Sequence, residues 1–153
     1  MTKLKGEMTK LKVSFTVPGE PVGKGRPRFN THSGRAFTPQ KTASYENLVK
    51  LEYQMQVKEN PFPEKQMLKL SIKAYFGIPK SASKKVRQAM LSGEQQPVKK
   101  PDIDNIFKVI ADSLNQMAYY DDSQIVEGTV EKYYSEQPRV DVQIESIMQQ
   151  GDE

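Results

Sequence analysis

Residues 101–117 read PDIDNIFKVIADSLNQM, and the rest of the chain is best interpreted from this stretch outward. Ile103, Ile106, Phe107, Ile110, Leu114 and Met117 recur at three- and four-residue spacing, which gathers them on one face of a helix. The pattern predicts a helix from Asp102 to about Met117, with Asp102 at the N-cap. Asp104, Lys108, Asp112 and Asn115 fall together on the opposite side. Tyr119-Tyr120-Asp121-Asp122-Ser123 follows as a turn signal.

Downstream, strand patterns occupy about 124–134 and 139–147, joined by a turn at Ser135–Pro138; the second alternates Val140, Val142 and Ile144. Upstream, Gln95–Pro101 is a polar connector that carries Lys99 and Lys100 to the acidic segment. Before it comes a short basic helix, Ser83–Leu91, closed by Gly93. Leu68, Leu70, Ile72, Ala74 and Phe76 alternate over a long strand. Thr42 to Lys58 reads as a helix capped by Thr42 or Ser44, with Tyr45, Leu48, Leu51 and Met55 on its buried stripe and Asn60-Pro61-Phe62-Pro63 ending it. Leu11, Val13, Phe15 and Val17 alternate as a first strand, stopped by Pro18-Gly19. Between them, residues 18–40 are rich in Gly, Pro and basic side chains; regular structure is hard to sustain there, and Arg35–Thr38 pairs at most as a short strand.

The order ββαβααββ predicts a single α+β domain, with a mixed or mostly antiparallel sheet packed by helices. Its expected bounds are residues 10–149, after a flexible tail at 1–9 and before a disordered end at 150–153. MTKLK occurs twice near the start, too short a unit for a structural repeat.

Composition narrows the chemistry. The 153 residues suit one domain with a real core. No cysteine is present, which excludes disulfides, zinc–thiolate sites and thiol catalysis and fits a reducing cytosol. His32 is the sole histidine, so no multi-histidine metal site exists. No run of 18 apolar residues is present, so no membrane-spanning helix and no membrane partner are expected, and the N-terminus lacks the apolar core of a signal peptide. Charge divides the chain. Residues 1–100 hold 20 Lys and Arg against 7 Asp and Glu, whereas residues 101–153 hold 3 against 12. A balance of +13 beside one of −9 suggests a polyanion site next to a cation site, or simply two solvated surfaces of opposite sign.

The carboxylates refine that choice. At a helix start the N-cap residue is non-helical, so Asp102 and Asp104 both lean toward the helix mouth. Like charges held close repel; a hard cation such as Mg²⁺ or Mn²⁺ offsets this, helped by the helix dipole. Asp122 joins them only if the chain returns toward the helix start after the turn. Taken singly, the pieces have plainer readings: Asp102 as a cap, Asp104 and Asp112 as ion-pair partners of Lys108, Asp121-Asp122 as a turn.

The stretch PDIDNIFKVIADSLN followed by YYDDSQI resembles the RusA family of Holliday junction resolvases, a bacterial and phage group with a D-x-D-N-x-x-K-x-x-x-D-x-L segment and a later D-D-x-Q-[IV]. Val17-Pro18-Gly19 through Lys24-Gly25-Arg26-Pro27-Arg28, then Tyr45-Glu46, resembles the family's N-terminal half, so the likeness covers about 11–147. It implies a RusA-like fold and a magnesium-dependent endodeoxyribonuclease, with Mn²⁺ as a substitute, that resolves four-way DNA junctions by paired symmetric nicks in recombination and repair. It implies Asp102, Asp104 and Asp122 as metal ligands, Lys108 as an essential basic residue, and Asn105, Asp112 and Asp121 in support. It also implies a homodimer acting on branched DNA in the cytoplasm, nucleoid-associated when bound. Which of Asp121 and Asp122 faces the ion stays open, as does whether Lys108 steadies transition-state charge or orients water.

With no Ser–His or Cys–His pair, the residues fit metal-assisted phosphodiester hydrolysis. Lys24, Arg26, Arg28 and Arg35 on the Gly/Pro loop and Lys99 and Lys100 before the helix are the expected phosphate contacts. Phe29, Phe37 and Tyr45 are candidates for stacking on exposed bases, Tyr45 fitting the core better. Two other readings compete: a non-catalytic nucleic-acid-binding accessory protein, and a nuclease for flaps or forks. A small-molecule phosphotransferase is weaker, because no Gly-rich phosphate loop is present.

Overall fold

The structure is a computed structural model that describes residues 10–148. The tail expectations at 1–9 and 150–153 lie outside the described residues. In chain order the elements are β1 (Lys12–Pro18), β2 (Arg28–Asn30), β3 (Arg35–Phe37), α1 (Gln40–Gln56), β4 (Leu68–Gly77), α2 (Lys84–Ser92), α3 (Ile103–Leu114), a 3₁₀ turn (Asp122–Gln124), β5 (Ile125–Ser135) and β6 (Arg139–Ser146). A four-stranded mixed sheet runs β1-β6-β4-β5, and β2 and β3 form a separate hairpin.

Alternation sets the sheet's two faces. Leu68, Leu70, Ile72, Ala74 and Phe76 of β4, Val140, Val142 and Ile144 of β6, and Phe15 and Val17 of β1 are all buried in one core with α1 and α3. The other face is polar: Lys69, Ser71, Lys73, Thr129, Glu131 and Gln143 line an open hollow there. The α+β class and the mixed sheet match the expectation from sequence.

The connection between β5 and β6 is not a simple hairpin. β4 lies between them, parallel to β5 (Ile72 opposite Val130) and antiparallel to β6 (Ile72 opposite Val142). The 135–138 turn therefore crosses the end of β4, where Gly77 makes room: a Cβ there would lie 3.2 Å from Pro138 Cγ. Gly19 N–H donates to Pro138 C=O (3.1 Å) and Gly77 N–H to Glu20 Oε2 (3.1 Å), tying the crossing down.

Three local differences have physical causes. The hairpin of β2 and β3 adds a strand within 18–40. It lacks an apolar pattern because all its residues are exposed; its register comes from turn chemistry, with Asn30 Oδ1 accepting from His32 and Ser33 N–H and Gly34 at φ +71. Helix α1 starts two residues earlier than expected and buries Thr42, Tyr45, Val49 and Tyr53, while Leu51 and Met55 stand half exposed. Burying two tyrosine rings, one edge-on to Phe15 at 5.3 Å, outweighs burying two unbranched or γ-branched aliphatics. Helix α3 ends at Leu114 instead of Met117, and Asn115 forms its C-cap.

Candidate active site

Asp102 is the N-cap of α3, in extended backbone, with Oδ1 accepting from Asn105 N–H at 3.4 Å. Asp104 stands exposed in the first turn, so both carboxylates occupy the helix mouth. Two flanks brace this mouth. On one side the Pro21–Arg28 loop lies against it: Lys24 N–H donates to Asn105 C=O (2.9 Å), and Gly23 packs so closely that a Cβ would lie 2.7 Å from Pro101 Cβ. Gly25 N–H donates to Thr42 Oγ1 (2.9 Å), which is why Thr42 is buried on α1 instead of capping it. On the other side Lys132 Nζ donates to Lys99 C=O (2.6 Å) and lies 5.2 Å from the Phe76 ring centroid.

The return of the chain after α3 is made by β5, and its direction matters. Asp122 N–H donates to Asn115 Oδ1 (3.0 Å) at the C-terminal end of α3. Gly128 then sits against the Phe107 ring, and Lys132 comes within electrostatic reach of Asp102. β5 thus runs back along the helix, and it is Lys132 that arrives at the mouth. Twelve residues of helix span about 18 Å. Asp122 borders a shallow depression with Phe107, Ala111 and Ile125. Among the described residues no three His, Asp or Glu side chains form a group able to hold a metal ion, so Asp102, Asp104 and Asp122 do not form a ready-made cage.

The acidic residues nevertheless sort cleanly by what their carboxylates touch. Asp112 Oδ2 meets Lys24 Nζ at 3.1 Å, not Lys108. Asp121 caps the 3₁₀ turn, accepting from Ser123 N–H (3.0 Å), and its hydrogen bonds to Ser123 hold its carboxyl below the usual range. Asp104 and Asp122 carry no hydrogen bond or ion pair on their carboxylates among the described residues, and Lys108 is exposed and unpaired in the same sense. The donor chemistry suits a hard divalent ion. Mg²⁺ commonly takes one or two carboxylates and completes its shell with water and substrate phosphate instead of an all-protein cage.

The model of the family described as Endodeoxyribonuclease RusA matches residues 18–145, from the end of β1 nearly to the end of β6. The chain belongs to the RusA family of endodeoxyribonucleases. A Bacillus subtilis (strain 168) protein named "Uncharacterized protein YqaN" is 38% identical over 142 residues, 88% of this chain and 96% of that protein. The RusA match spans the acidic motif, the braced loop and the hairpin together.

Not every basic residue expected to meet DNA is free to do so. Lys24 is only one-fifth exposed and pairs with Glu46 (2.6 Å) and Asp112 (3.1 Å). Burial alone would lower its pKa, but hydrogen bonds to the two carboxylates outweigh it and raise the pKa. Lys24 is therefore a tie between the loop, α1 and α3. Lys99 leans on Phe76 at 5.8 Å. Arg26, Arg28, Arg35 and Lys100 are exposed. Phe29 and Phe37 are exposed on the hairpin at 66% and 48%, whereas Tyr45 is core. Sequence reading missed Lys41, which borders the loop, and Lys132. Burial lowers the Lys132 pKa while Asp102 pulls it up. Neither lysine carries a motif; both reach the site through the fold. Among the described residues no helix is long and apolar enough to cross a membrane.

Proposed function

We propose that this RusA-family chain is a magnesium-dependent endonuclease that resolves four-way DNA junctions by paired nicks, acting as a homodimer in recombination and repair. The observation that carries this reading is the charge left without protein partners at the start of α3: the carboxylate of Asp104 and the ammonium of Lys108, with Asp102 beside them at the helix mouth. A chain gains nothing in stability from like charges held unpaired near one another, so their arrangement fits a ligand better than a structural network.

Asp102 and Asp104 would hold a Mg²⁺ or Mn²⁺ ion together with the scissile phosphate; Asp122, tied to Asn115 at the opposite end of α3, lies outside that pair. A divalent ion so bound polarises a phosphoryl oxygen and lowers the pKa of water. The chain's own residues do the rest. Asn105 N–H fixes Asp102, the α3 N-terminus adds its positive dipole end, and Lys108, one turn after Asp104, supplies a cation for charge developing on the phosphate. Two copies related by a two-fold axis match the near two-fold symmetry of a junction.

The test is cleavage of an end-labelled synthetic four-way junction. Symmetric nicks in Mg²⁺, abolished by EDTA and by Asp104→Asn, support the reading. Cutting that persists in EDTA or in D104N overturns it. Equal cutting of flaps or forks would shift the substrate to those structures.

A further inference from the structure

Beside the helix mouth lies a groove of about 560 Å³, walled by the Pro21–Arg28 loop, the first turn of α1 and Lys100–Asn105. Five basic side chains border it: Lys24, Arg26, Arg28, Lys41 and Lys100. Lys24 is neutralised by Glu46 and Asp112. The other four are exposed, and none forms an ion pair among the described residues. Between them the wall is apolar, from Val22, Pro39 and Pro101, and Asp102 and Asn105 are part of the same lining.

We propose that this groove takes one unpaired strand of DNA and leads its phosphates to Asp102. The inference rests on the nuclease reading above and adds which form of DNA reaches the acidic residues, and by which path. Size argues for a single strand. Clefts of roughly 300–1,000 Å³ hold a drug-sized molecule, so this one has room for about one or two nucleotides, and a strand whose bases are paired cannot lay both its backbone and its bases into it. Charge argues for a backbone: four unopposed cations track phosphates without reading sequence. The apolar wall offers sugars and bases a surface with no hydrogen-bonding demand. Helix α1 begins without a side-chain cap, since Pro39 occupies that position, so its first-turn amides add a weak pull on an anion. The wall is firm because Lys24, Gly23 and Gly25 are tied or wedged against α1 and α3. A continuous duplex presents no strand of this kind; a branch point does. The groove would thus favour branched over linear DNA through shape and charge together.

Lys41 is the discriminating residue, being exposed on the first turn of α1 and outside the acidic motif. The experiment measures binding by fluorescence anisotropy in EDTA, using the full chain with a labelled thymidine hexanucleotide and with a labelled blunt duplex. The strand binds at least tenfold more tightly than the duplex. Lys41→Glu weakens strand binding at least tenfold and lowers the slope of log affinity against log salt by about 0.7. Lys58→Glu, the same charge change at an exposed position off the groove, alters it less than twofold. Duplex binding as tight as strand binding, or equal effects of K41E and K58E, overturns the inference. Junction nicking by the unsubstituted chain, measured in parallel, separates the two ideas. Nicking with no Lys41 effect removes the groove and leaves the nuclease. Lys41-dependent binding with no nicking removes the nuclease and, with it, delivery of the strand to Asp102 for cutting.

Discussion

Replacing Lys24 by methionine should destabilise the fold while hardly touching DNA affinity, the reverse of what its neighbourhood in the sequence suggests. The side chain is one-fifth exposed, with Nζ 2.6 Å from Glu46 and 3.1 Å from Asp112. Removing the cation leaves two half-buried carboxylates facing each other. Full burial would cost about 3–5 kcal/mol and full exposure about 0–1 kcal/mol, so this intermediate site should cost about 2 kcal/mol. For a chain of this size that lowers the melting temperature by roughly 4–8 °C. The raised Lys24 pKa fixes the pH dependence. The contribution is complete below the ordinary lysine value and fades as pH rises through the shifted one. The gap between wild type and K24M, followed by circular dichroism, therefore stays constant from pH 6 to 9 and closes only in strong alkali. Arg26→Ala is the counterpart: unchanged melting, weaker junction binding, and a salt slope reduced by about 0.7–0.9. If K24M melts with the wild type and loses affinity as R26A does, Lys24 is a DNA contact and the tie is not real.

Three more substitutions probe the site. Asp104→Asn should reduce junction cleavage about 10³-fold or more in single-turnover assays, since several kcal/mol of transition-state stabilisation go with the ion, while gel-shift binding persists. Gly23→Ala sets a Cβ 2.7 Å from Pro101 and 3.0 Å from Asn105; overpacking of about 1–3 kcal/mol should appear in urea unfolding, with cleavage falling as the loop lifts from the helix mouth. Asp121→Ala should matter least in acid: hydrogen bonding to Ser123 lowers the Asp121 pKa, so its contribution is present above the ordinary value and vanishes as pH falls through the depressed one. Melting of D121A and wild type should differ most above about pH 4 and converge only as the pH falls well below it.

What the sequence made legible follows from which forces act locally. The β4 alternation, the α3 stripe over Ile106, Ile110 and Leu114, the Asp102 cap and the Gly93 closure of α2 are dictated within a few residues, and all are present, whereas Ile103 stands 52% exposed and Met117 lies past the end of the helix. The buried face of α1 was not legible in that way, because choosing between Leu51 and Val49 depends on the strand it meets. The order of β5, β4 and β6 was equally hidden: a short turn after β5 looks the same whether it joins neighbours or crosses a third strand at Gly77. At the site, Asp102 and Asp104 are fixed by the helix start itself. The partners of Lys24, the freedom of Asp122 against the capped Asp121, and the arrival of Lys132 beside Asp102 all depend on chain segments 20 or more residues apart or on turn geometry.

The most direct measurement of the central claim is anomalous scattering from crystals of the D104-intact protein soaked in Mn²⁺ with a non-cleavable junction, its scissile phosphate replaced by a phosphorothioate-blocked linkage. The account predicts a manganese peak between the Asp102 and Asp104 carboxylates and a phosphate oxygen. A junction seated at the α3 mouth with no peak there, or manganese held elsewhere, would contradict it.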